Sequence, residues 1–191
     1  RVTPSPPVVE QVAAGIWSIP VPLPIREVPH VLVCALDTDR GLVLVDAGWD
    51  TPQALEALVA GLSRVGADPA DVTGVLATHV HPDHYGLCRR VRETSDAWIA
   101  LHPPMRPCWT PATRLPRPRT STPSNPRSRR CAPAGRPGDP DVLLEHHDRI
   151  PGLSLRAVHT PGHSPGHLCF HDAGRQILFT GDHVLPHITP N

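Results

Sequence analysis

Thr78-His79-Val80-His81-Pro82-Asp83-His84 is the stretch on which the reading of this chain turns. It follows an apolar run, residues 72–77, that reads as a buried strand, so its polar residues fall where that strand ends. In an extended segment leaving a strand, alternate residues point the same way, and His79 and His81 can share one cation. Asp83 and His84 lie where the chain turns and can face a second cation beside the first. Imidazole nitrogens and carboxylate oxygens suit zinc. Two metals ~3.5–4 Å apart can activate water and stabilise a leaving oxygen. The competing reading is four polar residues satisfied by ordinary hydrogen bonds, and the end of a buried strand is a poor place for that.

Working upstream, residues 8–21 and 28–37 read as strands rich in Val, Ile and Leu and broken by Pro. A turn over residues 37–41 leads into a buried strand, residues 41–45, that ends at Asp46-Ala47-Gly48. Thr51 as N-cap and Pro52 at the first helical position then start a helix. Its apolar face is Leu55, Leu58, Val59 and Leu62, and Gly66 follows its end. Downstream of the motif, the pattern predicts a helix over about residues 84–94 and a strand over 97–101. A further strand spans 153–159, and residues 168–170 and 176–180 form a hairpin about the turn His171-Asp172-Ala173-Gly174-Arg175. His163, in Thr160-Pro161-Gly162-His163, sits at another strand end, and Asp182 follows 19 residues later. A strand-turn-strand excursion of that length returns the chain to the same sheet edge, where Asp182 could bridge two metals. Strands interleaved with helices argue α/β or α+β layers.

Composition narrows the function classes. Net charge is zero, and all 18 basic residues are Arg, so bulk electrostatics point to neither nucleic acid nor a membrane surface. The five Cys form no C-x-x-C, which makes a reducing, cytoplasmic compartment the default. Trp17, Trp49, Trp98 and Trp109 are too scattered for a base-stacking platform. No apolar run approaches ~20 residues. Residues 103–140 stand apart, holding 11 of the 26 Pro and eight Arg, with Asp139 as the sole acid. Such a stretch holds no regular helix and reads as irregular, as if translated in a shifted frame.

The set Asp46-x-Gly48, His79-x-His81-x-Asp83-His84, Pro161-Gly162-His163 and Gly181-Asp182 resembles the metallo-β-lactamase superfamily, in particular its glyoxalase-II-like hydrolases. The motifs occur in the family's order over about residues 8–182. The resemblance implies an αββα sandwich with two zinc ions, or iron or manganese, at one rim between the sheets. It assigns His79, His81 and His163 to the first metal and Asp83, His84 and Asp182 to the second, with Asp182 shared. Asp46 would orient a ligand His by a hydrogen bond. A hydroxide bridging the metals would attack the carbonyl of a small ester, thioester or lactone, and Asp83 would orient it or pass its proton to the leaving group.

Residues 1–191 are thus expected to form one partial domain of this fold, with the second half incomplete. The family closes the second metal site with a further His well beyond Asp182, and only His183 and His187 remain here. A C-terminally truncated chain is the expectation. Phosphodiester chemistry is an alternative, but the basic excess it needs is confined to residues 103–140. A di-iron redox protein and a non-catalytic truncated remnant are others. The expected partner is a small-molecule substrate, with no nucleic acid or membrane, and nothing indicates an oligomeric state. His167 reads as a hydrogen-bonding support residue; His102, His146, His147, His159, His171 and His187 read as loop or surface residues.

Overall fold

The computed structural model describes residues 7–103 and 138–185. The Pro/Arg-rich expectation for residues 103–140 falls almost wholly outside them, as do Cys108, Trp109, Cys131 and His187. Strands β1 (Glu10–Ala13) and β2 (Ile16–Pro22) form an antiparallel hairpin, followed by β3 (His30–Thr38) and β4 (Gly41–Val45). The single strand expected over residues 8–21 is therefore two. Gly15, at φ +69°, reverses the chain inside an apolar run whose composition hid the turn.

Helix α1 (Pro52–Arg64) begins as expected, with Thr51 Oγ1 accepting the N–H of Ala54 at 3.1 Å. Its buried stripe is Ala54, Leu58, Gly61 and Leu62, about one residue round from the predicted face, with Leu55 and Val59 only partly buried. Strand β5 (Val72–Leu76) leads to α2 (Pro82–Tyr85) and α3 (Cys88–Ser95). One continuous helix was expected there. The break arises because Leu87 N–H donates to Gly48 O (2.9 Å) in a neighbouring loop. After β6 (Trp98–Leu101) and β7 (Val142–Leu143) come β8 (Leu155–His159), β9 (Leu168–Asp172) and β10 (Ile177–Phe179). The last hairpin turns later than predicted, because Asp172 pairs with Ile177 and its carboxylate accepts from Arg175 N–H (3.0 Å) and Ser154 Oγ (2.6 Å).

Among the described residues the strands form one sheet ordered β1-β2-β3-β4-β5-β6-β7 and a second ordered β10-β9-β8. The first is antiparallel through β4 and parallel from β4 to β7. Strand alternation divides its side chains between two cores. Leu42, Leu44, Ile99 and Leu101 pack on the helix side, with Leu58 and Leu62 of α1. Val43, Val45 and Ala100 face the second sheet and meet Ala157, Leu168 and Phe170. In β5 the alternation slips, since Leu42 pairs with Val72 but Val43 with Gly74. Thr73 is the extra residue of a bulge that keeps Val72 and Val75 on the helix side and Leu76 on the other. The result is a mixed α/β architecture of helices, sheet and sheet. None of the described helices is long and apolar enough to cross a membrane.

A Cβ built on Gly61 of α1 would lie 2.3 Å from Ile19 Cγ2, an atom of the buried core. Gly-to-Ala in a helix interior ordinarily stabilises by up to ~1 kcal/mol, whereas overpacking costs ~1–3 kcal/mol. Gly61→Ala is therefore expected to destabilise by about 1–2 kcal/mol in urea unfolding, and the same change in an Ile19→Ala background to be neutral or stabilising.

Candidate metal centre

The two sheets meet at one rim, where Leu168 N–H at the start of β9 donates to Thr78 O just beyond β5 (2.8 Å). Asp46 leaves β4 at the same rim with φ +62°, a left-handed conformation that Asp tolerates better than most residues. Its buried carboxylate accepts Thr78 N–H (2.8 Å) and the Thr78 hydroxyl (2.9 and 3.0 Å), and pairs with His84 Nδ1 (2.8 Å). The adjoining backbone holds α2 in place, with Ala47 N–H donating to His84 O at 2.7 Å.

These bonds determine which ring nitrogens are free. The only Thr78 hydroxyl proton goes to Asp46, so the 3.0 Å contact from Thr78 Oγ1 to His79 Nδ1 is donated by the imidazole. His79 Nε2 is left as a lone pair. His84 donates Nδ1–H to Asp46, which turns its Nε2 towards Asp182 Oδ1 (3.1 Å) and Asp83 Oδ2 (3.5 Å). His81 caps α2 in an extended conformation, so its ring returns to His79, Nδ1 to Nε2 at 2.9 Å.

His163 comes from the loop between β8 and β9. Thr160 and His167 close that loop through Thr160 N–H to His167 O and Thr160 Oγ1 to His167 Nδ1, both 2.9 Å. His163 Nε2 reaches His79 Nε2 at 3.2 Å, His81 Nδ1 at 2.9 Å and Asp182 Oδ2 at 3.4 Å. Asp182 lies in a 3-10 turn, Gly181–His183. Gly181 has φ +48°, and a Cβ there would meet Thr78 Cβ and His167 Nε2 at 2.8 Å, so only glycine brings this backbone so close to the rim.

All six predicted ligand positions thus lie together. His79, His81, His163 and Asp182 form one group able to hold a cation, and Asp83, His84 and Asp182 form another, with donor atoms in each within 4.8 Å of one another. Around a zinc-sized ion, bond lengths of ~2.0–2.1 Å put tetrahedral donors about 3.3 Å apart. The nitrogen spacings of 2.9–3.2 Å, with Asp182 Oδ2 at 3.4 Å, fit that edge length. The donor chemistry fits as well, combining imidazoles with carboxylates.

Charge is divided unevenly across the cluster. Burial, then the neighbouring His84 and His81, lower the His79 pKa to about 2, so that ring is neutral. Burial acts in the same direction on His81, helped by His163. Burial also opposes charge on His84, but Asp46 and the hydrogen bonds that His84 donates to Asp182, Asp46 and Asp83 outweigh it and raise its pKa well above the ordinary value. Asp83 and Asp182 both stay below the usual carboxylate range; burial works against this, and the hydrogen bond and charge of His84 prevail. A proton on His84 Nε2 occupies the place between carboxylates that a cation can take.

Sequence reading gave no role to Thr78, which links Asp46 to His79. The signal was its place immediately before the first His. Tyr85 was also overlooked; its hydroxyl donates to Gly138 O (2.6 Å), tying α2 to the point where the described chain resumes.

The family model described as the metallo-beta-lactamase superfamily matches residues 28–191. The lactamase-like protein aptB of Emericella nidulans is 31% identical over 150 residues, 78% of this chain and 38% of that protein. An atrochrysone carboxyl ACP thioesterase of Aspergillus fumigatus is 29% identical over 154 residues, 78% of this chain and 28% of its own. The chain therefore spans little more than a third of the length of these curated relatives, or less. Among solved structures, a metallo-beta-lactamase family protein of Thermus thermophilus superposes with a TM-score of 0.72 at 24% identity, over 95% of this chain and 63% of that one, and shares the fold.

Asp46→Asn keeps the shape of the residue but removes the charge behind His84 and Thr78. Replacing such a supporting carboxylate typically costs 10–100-fold in metal affinity. Zinc affinity measured by competition with a chromogenic chelator is expected to fall by that factor while the unmutated protein sets the reference.

Proposed function

The chain belongs to the metallo-beta-lactamase superfamily, and from that membership and its converging ligands we propose that it is a dinuclear zinc hydrolase acting on thioesters. One observation carries the reading. Asp182 offers one oxygen to the His79/His81/His163 group and the other to His84, as a carboxylate shared between two cations can. The A. fumigatus relative, named as a thioesterase for an acyl carried on ACP, favours thioesters among the ester-like substrates. Residues 1–191 are read as part of one such domain.

Zinc bound by His79, His81 and His163, and by Asp83, His84 and Asp182, would supply a water of lowered pKa and polarise the scissile carbonyl. The chain's own residues do the rest. His84 is held by Asp46 so that its Nε2 faces the reacting centre. The Asp83 side chain is 23% exposed, open enough to meet substrate, and its pKa stays low although burial works against this, because His84 hydrogen-bonds it. As a carboxylate it takes a proton from the attacking water while the water oxygen bonds to the acyl carbon. When the C–S bond breaks, Asp83 returns that proton to the leaving sulfur, giving a carboxylic acid and a thiol.

Exhaustive chelation is expected to abolish thioester hydrolysis, and added zinc to restore it. Asp83→Asn is expected to lower kcat by about 10²–10⁴-fold, the usual contribution of a positioned acid–base group. Unchanged rate and metal content in Asp83→Asn would remove the proton-transfer role.

A further inference from the structure

A second pair of imidazoles crosses between the two sheets at the same rim. His102 directly follows β6, where Trp98 and Ala100 face the second sheet and Ile99 and Leu101 face the helices. His102 continues the inward series and stacks on His159, the last residue of β8, with ring centroids 4.1 Å apart and planes 9° from parallel. His159 is itself fixed, since its Nε2–H donates to Pro165 O (2.9 Å) and its backbone N–H to His146 Nδ1 (3.1 Å). Strands β5 and β6 are neighbours, and His159 pairs with Leu168, whose N–H reaches Thr78. The pair therefore stands about one to two strand spacings, ~5–10 Å, from the His79–His163 pair.

His102 is 9% exposed, and among the described residues its buried Nδ1 has no hydrogen-bond partner. Buried polar atoms in folded proteins almost always find a partner, so an unpaired one is available to a polar group of a ligand. Burial, and then His159, lower the His102 pKa, which leaves a neutral ring able to donate or accept. Resting on the thioesterase reading, we propose that His102 determines specificity by hydrogen-bonding an oxygen on the substrate's acyl chain. Acyl groups bearing a hydroxyl or carbonyl beyond the scissile carbonyl are then preferred. An oxygen on the third acyl carbon, with a hydrogen bond of ~2.8 Å, spans the nearer part of the gap between the two pairs.

The test compares kcat/KM for the 3-hydroxybutyryl and butyryl thioesters of N-acetylcysteamine in the zinc-loaded protein. The unmutated protein is expected to prefer the hydroxyacyl substrate. His102→Phe, which can still stack on His159, and His102→Gln, whose amide mimics Nε2 instead of Nδ1, should lower that preference about 2–10-fold, mainly through KM. His102→Asn, whose amide nitrogen lies near the Nδ1 position, should retain most of it. Calorimetric binding of 3-hydroxybutyrate against butyrate should follow the same order without any turnover. An equal preference in the unmutated protein, His102→Phe and His102→Gln overturns the proposal. Failure of the metal-loaded protein to hydrolyse either thioester sinks the thioesterase reading instead, and the binding comparison then decides the role of His102 alone.

Discussion

A single buried carboxylate, that of Asp46, holds the site together. It sits in a left-handed backbone position and receives the amide and hydroxyl of Thr78 and the Nδ1–H of His84. Burying a carboxylate without partners costs several kcal/mol, so these charge-assisted hydrogen bonds are what make its position tenable. Through Thr78 it orients His79, and directly it orients His84, one residue from each of the two candidate ligand groups. It also stands behind the contact between the sheets, because the residue it grips, Thr78, accepts the N–H of Leu168.

From that arrangement follows the contrast between the two imidazoles. His79 and His84 are both buried, yet burial and like-charged neighbours keep the first neutral, while three carboxylates favour a charge on the second. Three ring nitrogens facing one another at 2.9–3.2 Å, beside two carboxylates turned towards a protonatable ring, make a cluster of donor atoms that a cation can tie together. The bulge at Thr73 and the close passage of Gly181 past Thr78 are local devices that bring the backbone to this point.

Much of this was legible in the sequence because it depends on spacing. Short apolar runs located β4, β5 and β6, a Thr-Pro cap located α1, and the His-x-His-x-Asp-His run marked the rim. What could not be read depends on contacts between distant segments. The break between α2 and α3 exists because Gly48 takes the N–H of Leu87. The hairpin within residues 8–22 rests on one glycine amid apolar residues. Thr78 and His102 draw their meaning from Asp46 and His159, 32 and 57 residues away in the chain. Spacing revealed which residues gather; the hydrogen bonds that orient them come only from the fold.

The central claim is that six side chains from three separate segments cage a pair of cations. Native mass spectrometry of the zinc-reconstituted protein tests it most directly, by counting the ions each chain retains. The account predicts two per folded chain, and a loss of retained zinc when Asp182, the shared carboxylate, is replaced by Ala. A folded chain that retains no zinc, or one whose zinc count is indifferent to Asp182, would contradict it.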